Sequence, residues 1–233
     1  MSLDKGLKQK TNGQEQVLWA EGYESAAWKL GTRRGEYVLN RRLEAVLPLL
    51  SGLRLLVDVG VGPATMSQHF PCEVVGCDTS LSMLKHAMKR ISAVVLADAD
   101  FLPFRDRAFD MAFESDCLPY VRDRVQAVRE MARVSRGKVV TFDSNRWSLR
   151  RMISGKSGAH PSPPQLKNYH RGVGLRPLVQ LVGFGPLVQS RVVFEMWPPI
   201  ERMIERTPLL HYLCGGILVY SETRNINANR EGP

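Results

Sequence analysis

The sequence lacks any long apolar run. No stretch of its 233 residues approaches the roughly 18 consecutive apolar residues that a membrane-spanning helix needs. The first residues, Met1–Gly6, also lack the apolar core of a secretory signal. A chain of this length can bury one full-sized hydrophobic core, so we expect a single cytoplasmic domain.

Cysteine is scarce, and its spacing does not suit a metal site. The four cysteines contain no Cys-x-x-Cys pair of the kind that holds zinc. Thiols in or beside apolar runs usually act as small buried side chains. The sequence therefore predicts structural cysteines and no metal; the four are Cys72, Cys77, Cys117 and Cys214.

The most informative segment is a strand that ends in a glycine turn, Leu55–Thr65 (LLVDVGVGPAT). A short apolar run that stops at an acid and two glycines is typical of a buried strand turning sharply into a helix. Glycine suits a turn whose backbone passes close to a ligand. Asp78 ends the next apolar run, where a carboxylate can accept both hydroxyls of a ribose. Together these features predict a nucleoside-containing cofactor.

Two other nucleotide-binding motifs do not fit this turn. A dinucleotide turn needs a third glycine at position 65, where the sequence has Thr65. A Walker loop ends in Gly-Lys-Ser/Thr, and that triplet does not follow Gly60 or Gly62. Asp58 would also repel a pyrophosphate, whereas it suits a cofactor that carries an ammonium group and a sulfonium charge.

The segment Asp58–Ala64 resembles the first motif of the class I S-adenosylmethionine-dependent methyltransferases, with Ala64 in place of the last glycine. The resemblance continues in the family's order and is nearest to the ubiquinone/menaquinone-biosynthesis subgroup, methyltransferase type 11. It implies S-adenosylmethionine as the cofactor and S-adenosylhomocysteine as the product. The four matching segments are Asp58–Ala64, Gly76–Leu84, Leu96–Asp110 and Val128–Val140.

The resemblance also implies roles for individual residues. In the family, the acid at the position of Asp78 binds the ribose and the residue at Met83 packs on adenine. The acid at Asp98 accepts the adenine amino group, and the amide at Ala99 meets a ring nitrogen. The implied cofactor-binding set is Asp58, Gly60, Gly62, Ala64, Asp78, Thr79, Met83, Asp98, Ala99 and Ser115.

Strands and helix-sized segments alternate along the chain, which predicts a parallel sheet covered by helices on both faces. The resemblance adds two last strands that form an antiparallel hairpin at one edge, with a helix near 199–206 between them, and it places a helix end at 178–184. We therefore predict an α/β fold, a Rossmann-like three-layer sandwich with a seven-stranded, mostly parallel sheet. The predicted strands are 53–59, 73–78, 93–97, 109–114, 137–142, 192–196 and 216–220.

One domain, 1–233, accounts for this organisation. Glycine, serine and proline interrupt the alternation within 144–174, and a loop of that length is usually functional or disordered. We interpret it as a cap over the substrate. The predicted parts are a helical lid (1–50), the cofactor-binding core (50–143), the cap (144–174) and a C-terminal helix with edge strands (175–233).

Positive charge is concentrated in one part of the chain. The net charge is +9, and residues 121–176 alone hold thirteen Lys or Arg against three Asp or Glu. The rest of the chain is nearly balanced, with nineteen basic and twenty acidic residues. A basic rim raises the local concentration of anions, so an anionic small molecule is favoured as acceptor and RNA is the alternative. A solvated helix face explains part of the same charge.

Two residues are candidate general bases. A phenol, enol or amine acceptor has to lose a proton during methyl transfer. Asp116 follows the fourth predicted strand and His170 lies in the predicted cap, although Asp116 also suits a turn cap and His170 a simple exposed position. Rings and cations near the cleft are candidate substrate contacts, with packing as the alternative; they are Tyr23, Trp28, Arg33, Tyr120, Trp147 and Tyr169.

The sequence thus predicts an S-adenosylmethionine-dependent methyltransferase acting on a small, anionic organic acceptor by in-line displacement. An RNA methyltransferase and a cofactor-binding protein without catalysis are the alternatives, and the same acids suit all three. A nicotinamide oxidoreductase is disfavoured by Thr65 and Asp58. The methylated atom and the oligomeric state stay open, because this fold serves many substrates.

Overall fold

The structure is a computed structural model that describes residues 22–148, 151, 159–183, 191–207 and 214–223. Its strands are β1 (Leu55–Val59), β2 (Glu73–Asp78), β3 (Ala93–Leu96), β4 (Phe109–Ser115), β5 (Ser135–Ser144), β6 (Leu178–Val182) and β7 (Gly216–Glu222). Its α-helices are α1 (Arg33–Val46), α2 (Leu81–Ala87), α3 (Arg124–Val134), α4 (Pro163–Arg171) and α5 (Arg191–Glu205). Short helical turns occupy Glu24–Trp28, Leu47–Leu50, Ser67–His69 and Leu118–Tyr120.

The seven strands form one sheet in the order β3-β2-β1-β4-β5-β7-β6. The first five strands run parallel, and β7 pairs antiparallel with both β5 and β6. The predicted fold, a mostly parallel sheet with an antiparallel edge hairpin, is confirmed. The strand order reverses between β1 and β4, and ligands of such sheets bind at the carboxyl ends of the strands at this point.

Helices cover the sheet on both faces, as the alternation predicts. Val57 and Val59 of β1 face one hydrophobic cluster, to which α3 and α4 contribute. Leu56 faces the opposite cluster, to which α1 contributes. Side chains alternate across a strand, so the continuous apolar run of β1 fills both layers and fixes the sheet in the middle of the domain.

Polar residues at the helix starts explain where the helices begin. Thr32 accepts the N–H of Gly35 at 3.1 Å before α1, and Asp123 accepts two N–H groups at 3.0 Å before α3. The N–H of Ser162 donates to Gln165 at 2.9 Å before α4, whose first two residues are prolines. Such caps satisfy the amide groups that have no partner within the first helical turn.

Two element predictions at the C-terminal side are wrong. The chain from 192 to 196, predicted as a strand, lies within α5, and the stretch predicted as a helix end is strand β6. The hairpin therefore consists of β6 and β7, with α5 between them in sequence. Short apolar runs do not distinguish a buried strand from a helix segment, which is why the two were exchanged.

The predicted cap is only partly described, and the helix within it packs against the core. Helix α4 packs against α3, β6 and β7, with Leu166 and His170 fully buried. Residues 149–150 and 152–158 lie outside the described part of the chain. The described residues also include no helix that is both long and apolar enough to cross a membrane.

Candidate cofactor and acceptor site

The turn after β1 has the backbone that its glycines predict. Gly60 and Gly62 have positive φ angles of 71° and 54°, and Ala64 follows at 62°. The N–H groups of Gly60 and Val61 both donate to the carbonyl of Cys77 on β2, at 2.7 and 3.0 Å. A Cβ at Gly60 would lie 2.3 Å from the Sγ of Cys117. Conformation and space therefore both require glycine at position 60.

Asp78 binds this turn directly. Its Oδ2 accepts the N–H of Gly62 at 2.9 Å, and its Oδ1 accepts the N–H of Ser80 at 2.8 Å. Each carboxylate oxygen has two lone pairs, so both oxygens keep capacity for a further donor. The arrangement fits the ribose-binding role that the sequence assigns to Asp78.

Asp58 is a buried acid directly before the turn, with 4% of its surface exposed. Burial, together with the nearby charges of Glu114 and Asp78, raises the pKa of Asp58 to about 7. A neighbouring cation stabilises the ionised form of such a buried carboxyl group and so lowers its raised pKa. This is the environment expected for a residue that meets a positively charged cofactor.

The remaining adenine-side candidates lie at the ends of β2 and β3. Met83 is buried on the first turn of α2, and Thr79 is exposed one residue after β2. Asp98 is exposed after β3, and its Oδ1 accepts the N–H of Asp100 at 3.0 Å. Ala99 is buried beside it. These positions surround one end of the sheet, as the sequence predicts for the adenine.

The N-terminal segment is fixed onto the glycine turn by Glu24. Its carboxylate accepts the hydroxyl of Thr65 at 2.9 Å and pairs with Arg90 through both oxygens, at 2.5 and 2.9 Å. The Tyr23 ring lies 4.0 Å from a Cβ placed on Gly62. The sequence predicts a helical lid over residues 1–50, but it gives no sign of the Glu24–Arg90 pair that anchors this segment.

A buried arginine organises the carboxyl end of β4. The guanidinium of Arg42 donates to Ser115 at 2.6 Å and to Asp116 at 2.5 Å. It also lies over the rings of Trp28 and Phe142, at 5.1 and 4.7 Å from their centroids. Trp28 therefore packs on Arg42, the alternative that the sequence left open. Arg42 itself is not visible in any local motif, since its hydrogen-bond partners Ser115 and Asp116 are more than 70 residues away.

Asp116 is held from three sides. Besides Arg42, the N–H of Ser144 donates to its Oδ1 at 2.7 Å, and the Nδ1 of His160 lies 3.6 Å from the same oxygen. Burial would raise the pKa of Asp116, but the charges of Arg42 and His160 and the Ser144 amide outweigh it and lower the pKa. Asp116 has a φ of 55°, in the left-handed region that Asp tolerates better than most residues. An acid so stabilised as a carboxylate is a poor proton acceptor.

Two further acids lie near Asp116 in the interior of the sheet. Glu114 and Asp143 are both fully buried. Burial raises the pKa of Glu114 to about 7 and that of Asp143 well above its ordinary value, the latter also because of the Glu114 charge. Ionisation of both acids at once is therefore disfavoured.

Donor atoms of Asp116, Asp143 and His160 lie within 4.8 Å of one another. The spacing alone would allow a metal ion. However, Arg42 already pairs with Asp116, and burial together with the Glu114 charge raises the pKa of Asp143, which disfavours the carboxylate form that a metal needs. The charges of this cluster are thus balanced by its own members, and we assign no metal to it.

The structure does not bring His170 to the cleft. It lies on α4 in the core, where its Nε2 and Nδ1 are 3.0 and 2.9 Å from the hydroxyls of Thr141 and Ser221. Burial lowers the pKa of His170 to about 3, so the ring is neutral. Tyr169 packs against the same core and accepts from Arg124 at 3.4 Å. Both residues support the sheet from the face opposite α1.

Two other residues of the predicted cap, Arg151 and His160, lie near Asp116, where the sequence predicts His170. Both belong to the described part of the predicted cap, and both lie close enough to Asp116 for their charges to act on it. His160 lies between Ala159 and Pro161. Its position next to the proline-rich stretch is the only sequence feature that could have marked it as a site residue. The other substrate candidates are exposed: Tyr120 after β4, Trp147 after β5 and Arg33 at the start of α1.

Residues 57–141 match a protein family described as a methyltransferase domain. This range holds β2, β3 and β4 together with most of β1 and β5, and with them the glycine turn, Asp58, Asp78, Asp98 and Asp116. Solved structures are similar over most of the chain. A protein of Thermotoga maritima, titled an S-adenosylmethionine-dependent methyltransferase and possible histamine N-methyltransferase, aligns over 89% of this chain and 97% of its own. The TM-score is 0.69 at 19% identity, which shows a shared fold.

The chain is similar to the S-adenosylmethionine-dependent methyltransferases. The cofactor of this class is S-adenosylmethionine, so the resemblance and the cofactor predicted from the sequence are both confirmed. Among curated relatives, a malonyl-[acyl-carrier protein] O-methyltransferase of Salmonella typhimurium is 36% identical over 107 residues, or 42% of this chain and 43% of the relative. A demethylmenaquinone methyltransferase of Streptomyces griseus is 32% identical over 139 residues, or 56% and 60%.

Another relative carries a different name. A mitochondrial arginine-hydroxylase NDUFAF5 of Mus musculus is 31% identical over 102 residues, covering 41% of this chain and 30% of the relative. The chain spans between 30% and 43% of the length of the first curated relatives it matches. The similarity thus identifies the cofactor-binding core, and the reaction of the whole protein is a separate question.

Proposed function

We propose that this protein transfers a methyl group from S-adenosylmethionine to a small, anionic organic acceptor. The observation that carries the proposal is that two half-sites lie side by side at the carboxyl ends of the central parallel strands. Asp58, Asp78 and the glycine turn form the cofactor side, while Arg42, Asp116 and neighbouring cations form the acceptor side after β4.

The residues of the cofactor side fit S-adenosylmethionine. Asp78 keeps lone pairs for ribose hydroxyls, and buried Asp58 favours a cationic neighbour. The left-handed turn at Gly60 and Gly62 exposes backbone without side chains. When bound, S-adenosylmethionine supplies an electrophilic methyl group on a sulfonium. The chain's own task is then to orient the acceptor and exclude water.

An acceptor that is already ionised suits the acceptor side best. Asp116 is a poor base because Arg42 and His160 lower its pKa, so proton removal by Asp116 is disfavoured. Arg151 supplies a cation near Asp116, although burial lowers its pKa. A carboxylate acceptor needs no base and pairs with such cations. The relative named a malonyl-[acyl-carrier protein] O-methyltransferase is consistent with an acid as acceptor.

RNA remains a second candidate acceptor because of the basic segment 121–176. Several of its arginines have local partners: Arg133 pairs with Glu130 and Asp106, and Arg136 pairs with Asp110. These pairs reduce the free charge that RNA would meet. A protein that binds the cofactor without transfer is the third candidate, since its cofactor side would look the same.

The test begins with calorimetric titration of S-adenosylmethionine, S-adenosylhomocysteine and NADH in parallel. Binding of the two sulfur nucleosides without NADH is expected. Transfer of a tritiated methyl group is then measured on a panel of carboxylic acids and on total RNA. Labelled acid supports the proposal and labelled RNA supports the second candidate. Binding with no labelled product in either panel would leave the third.

One substitution separates the small acid from the other acceptors. Arg151→Gln should raise KM for an accepted acid about tenfold while leaving cofactor affinity unchanged, because it removes one cation from the acceptor side. Arg129→Gln, on the exposed face of α3, is the matched control. Equal KM values in both variants would contradict an anionic acceptor at this position.

A further inference from the structure

A groove of about 950 Å³ lies outside the site described above. Val179, Gln180, Leu181 and Val182, four consecutive residues of β6, line its floor. Consecutive side chains of a strand point to opposite faces, so a groove that touches all four follows the edge of the strand. The groove therefore runs along the outer edge of the sheet.

The backbone of this edge is available for pairing. Strand β6 is the last strand in the sheet order and pairs with β7 on one side only. Within the described residues, no other backbone hydrogen bond is made by Leu178–Val182. Exposed edges are usually protected by charged residues, proline or a bulge. The sequence LVQLV has no charge and no proline, and its pairing with β7 is regular.

Helices form the two walls, and both walls are basic. Lys167 and Arg171 of α4 line the groove from one face of the sheet. Arg202 and Arg206 line it from the other face, at the end of α5. None of these four has a carboxylate partner among the described residues, whereas the nearby Arg41 is paired with Glu44, Glu201 and Glu205. The lining residues, with Arg41 included, thus carry five positive charges against the two negative charges of Glu44 and Glu205, so an excess of positive charge flanks an uncharged strand edge.

We propose that this groove binds an extended, acidic peptide segment of a partner protein, which adds to the sheet as a strand beside β6. Strand addition supplies regular backbone hydrogen bonds, and alternate side chains of the peptide meet the two walls. Acidic side chains would pair with Lys167 and Arg171 on one wall and with Arg202 and Arg206 on the other. Complementary charge gives such a contact its specificity and its rate of association.

A peptide fits this surface better than a nucleic acid. The floor offers backbone N–H and C=O groups at strand spacing, together with the apolar side chains of Val179 and Leu181. Single-stranded nucleic acid is bound through rows of aromatic rings, and Trp147 is the only ring among the residues described as lining the groove. The edge geometry therefore selects for a strand.

The proposal is tested with a labelled ten-residue peptide of repeating Glu-Glu-Val-Val sequence, which places glutamates on both faces of the added strand, by fluorescence anisotropy on the full chain. We expect saturable binding that a peptide with alternate N-methylated amides does not show, because N-methylation removes the donors of one edge. Charge reversal in the double variant Lys167→Glu/Arg202→Glu should weaken binding at least about tenfold. Arg129→Glu, which does not line the groove, should leave it unchanged.

Hydrogen exchange locates the bound peptide. On peptide addition, the backbone amides of β6 should become protected, while those of β3 at the opposite edge should not. No binding, equal binding of the N-methylated peptide, or stronger binding of an oligouridylate of the same charge would each overturn the proposal. The proposal would also be overturned if the β6 amides that point away from β7 were already protected before the peptide is added. The groove would then be filled by the chain itself.

This test is independent of methyl transfer. The variants Lys167→Glu and Arg202→Glu lie outside both half-sites, so affinity for S-adenosylhomocysteine should stay as in the unmodified chain. A protein that fails to bind the nucleoside can still bind the peptide, and the reverse also holds. Failure of one proposal is therefore distinguishable from failure of the other.

Discussion

The Oδ2 of Asp78 accepts the N–H of Gly62 at 2.9 Å, so the acid that ends β2 also fixes the turn that ends β1. One side chain thus shapes the turn and offers its remaining lone pairs to a ribose. Any change of this carboxylate should affect both roles together.

The first prediction concerns this carboxylate. Asp78→Asn should weaken binding of S-adenosylhomocysteine by about 1–3 kcal/mol, because the amide NH₂ faces a backbone N–H where the carboxylate accepted one. Calorimetric titration measures the loss. Asp106→Asn makes the same change at an exposed ion pair and should leave affinity unchanged. Equal affinity of both variants would refute the role of Asp78.

The second prediction concerns pH and Asp58. Its raised pKa of about 7 means that the free protein holds a proton on Asp58 below neutrality. A cationic cofactor favours the ionised form, so binding releases that proton. Affinity for S-adenosylmethionine should therefore rise with pH up to about 7 and level off above it. Titrations from acid to neutral pH in buffers of different ionisation enthalpy measure both effects. In Asp58→Asn the pH dependence should be lost; its persistence would assign the proton elsewhere.

The third prediction separates backbone strain from crowding at the glycine turn. Gly60 and Gly52 have similar φ angles, 71° and 75°, but only Gly60 has a close neighbour, Cys117. Gly52→Ala should cost about 1–2 kcal/mol of unfolding free energy through conformation alone. Gly60→Ala should cost a further amount of about 1–3 kcal/mol through overpacking. Urea unfolding compares the two, and equal losses would mean that Cys117 gives way freely.

The fourth prediction concerns the lid. Arg90→Gln removes the ion pair that holds Glu24, so amides of 24–28 should exchange hydrogen faster and S-adenosylhomocysteine should dissociate faster. Arg136→Gln breaks an ion pair of similar type on the opposite end of the sheet and serves as control. If exchange at 24–28 is the same in both variants, Glu24 does not anchor the segment.

The fifth prediction concerns stability and pH. Asp58, Glu114 and Asp143 have raised pKa values in the folded chain, so the folded state holds protons that the unfolded state has released. The contribution of Asp58 and Glu114 is fully present below the unfolded pKa of about 4 and is lost as pH rises through their folded pKa of about 7, and that of Asp143 is lost in the same direction. The unfolding free energy should thus fall from pH 5.5 to pH 8, by about 1 kcal/mol per pH unit for one such group.

Glu114→Gln checks the assignment of that slope. The amide does not titrate, so the decrease with pH should be smaller than in the unmodified chain. Acids with lowered pKa values, such as Glu24 and Asp110, act in the opposite direction only as pH falls through the acid range. A flat profile from pH 5.5 to pH 8 in the unmodified chain would contradict buried, protonated acids.

The cofactor side could be predicted from the sequence because it is local. Asp58, Gly60 and Gly62 lie within one turn, and Asp78 ends the next strand, so spacing alone brings them together. The parallel sheet followed from the same kind of local pattern. Of the two strands predicted for the edge hairpin, 216–220 is confirmed as β7 and 192–196 is wrong, because apolar runs as short as β6 have no decisive period.

On the acceptor side only Asp116 could be predicted, from its place after a strand, since the residues that meet it are distant in sequence. Arg42, Asp116, Ser144 and His160 meet only after α1 and the loop beyond β5 have packed on the sheet. His170 was an attractive candidate because of its basic and aromatic neighbours. Its place four residues after Leu166, on one face of α4, is the signal that could have indicated burial.

The close contact between Gly60 and Cys117 also limits how this sequence can evolve. A side chain at position 60 would fit only if Cys117 were replaced by a smaller residue. A larger residue at position 117 would clash with the backbone of the turn. Neither position can grow alone. We expect the residue types at positions 60 and 117 to vary together across descendants of this gene. A residue larger than cysteine at position 117 should occur only where the turn after β1 has a different backbone.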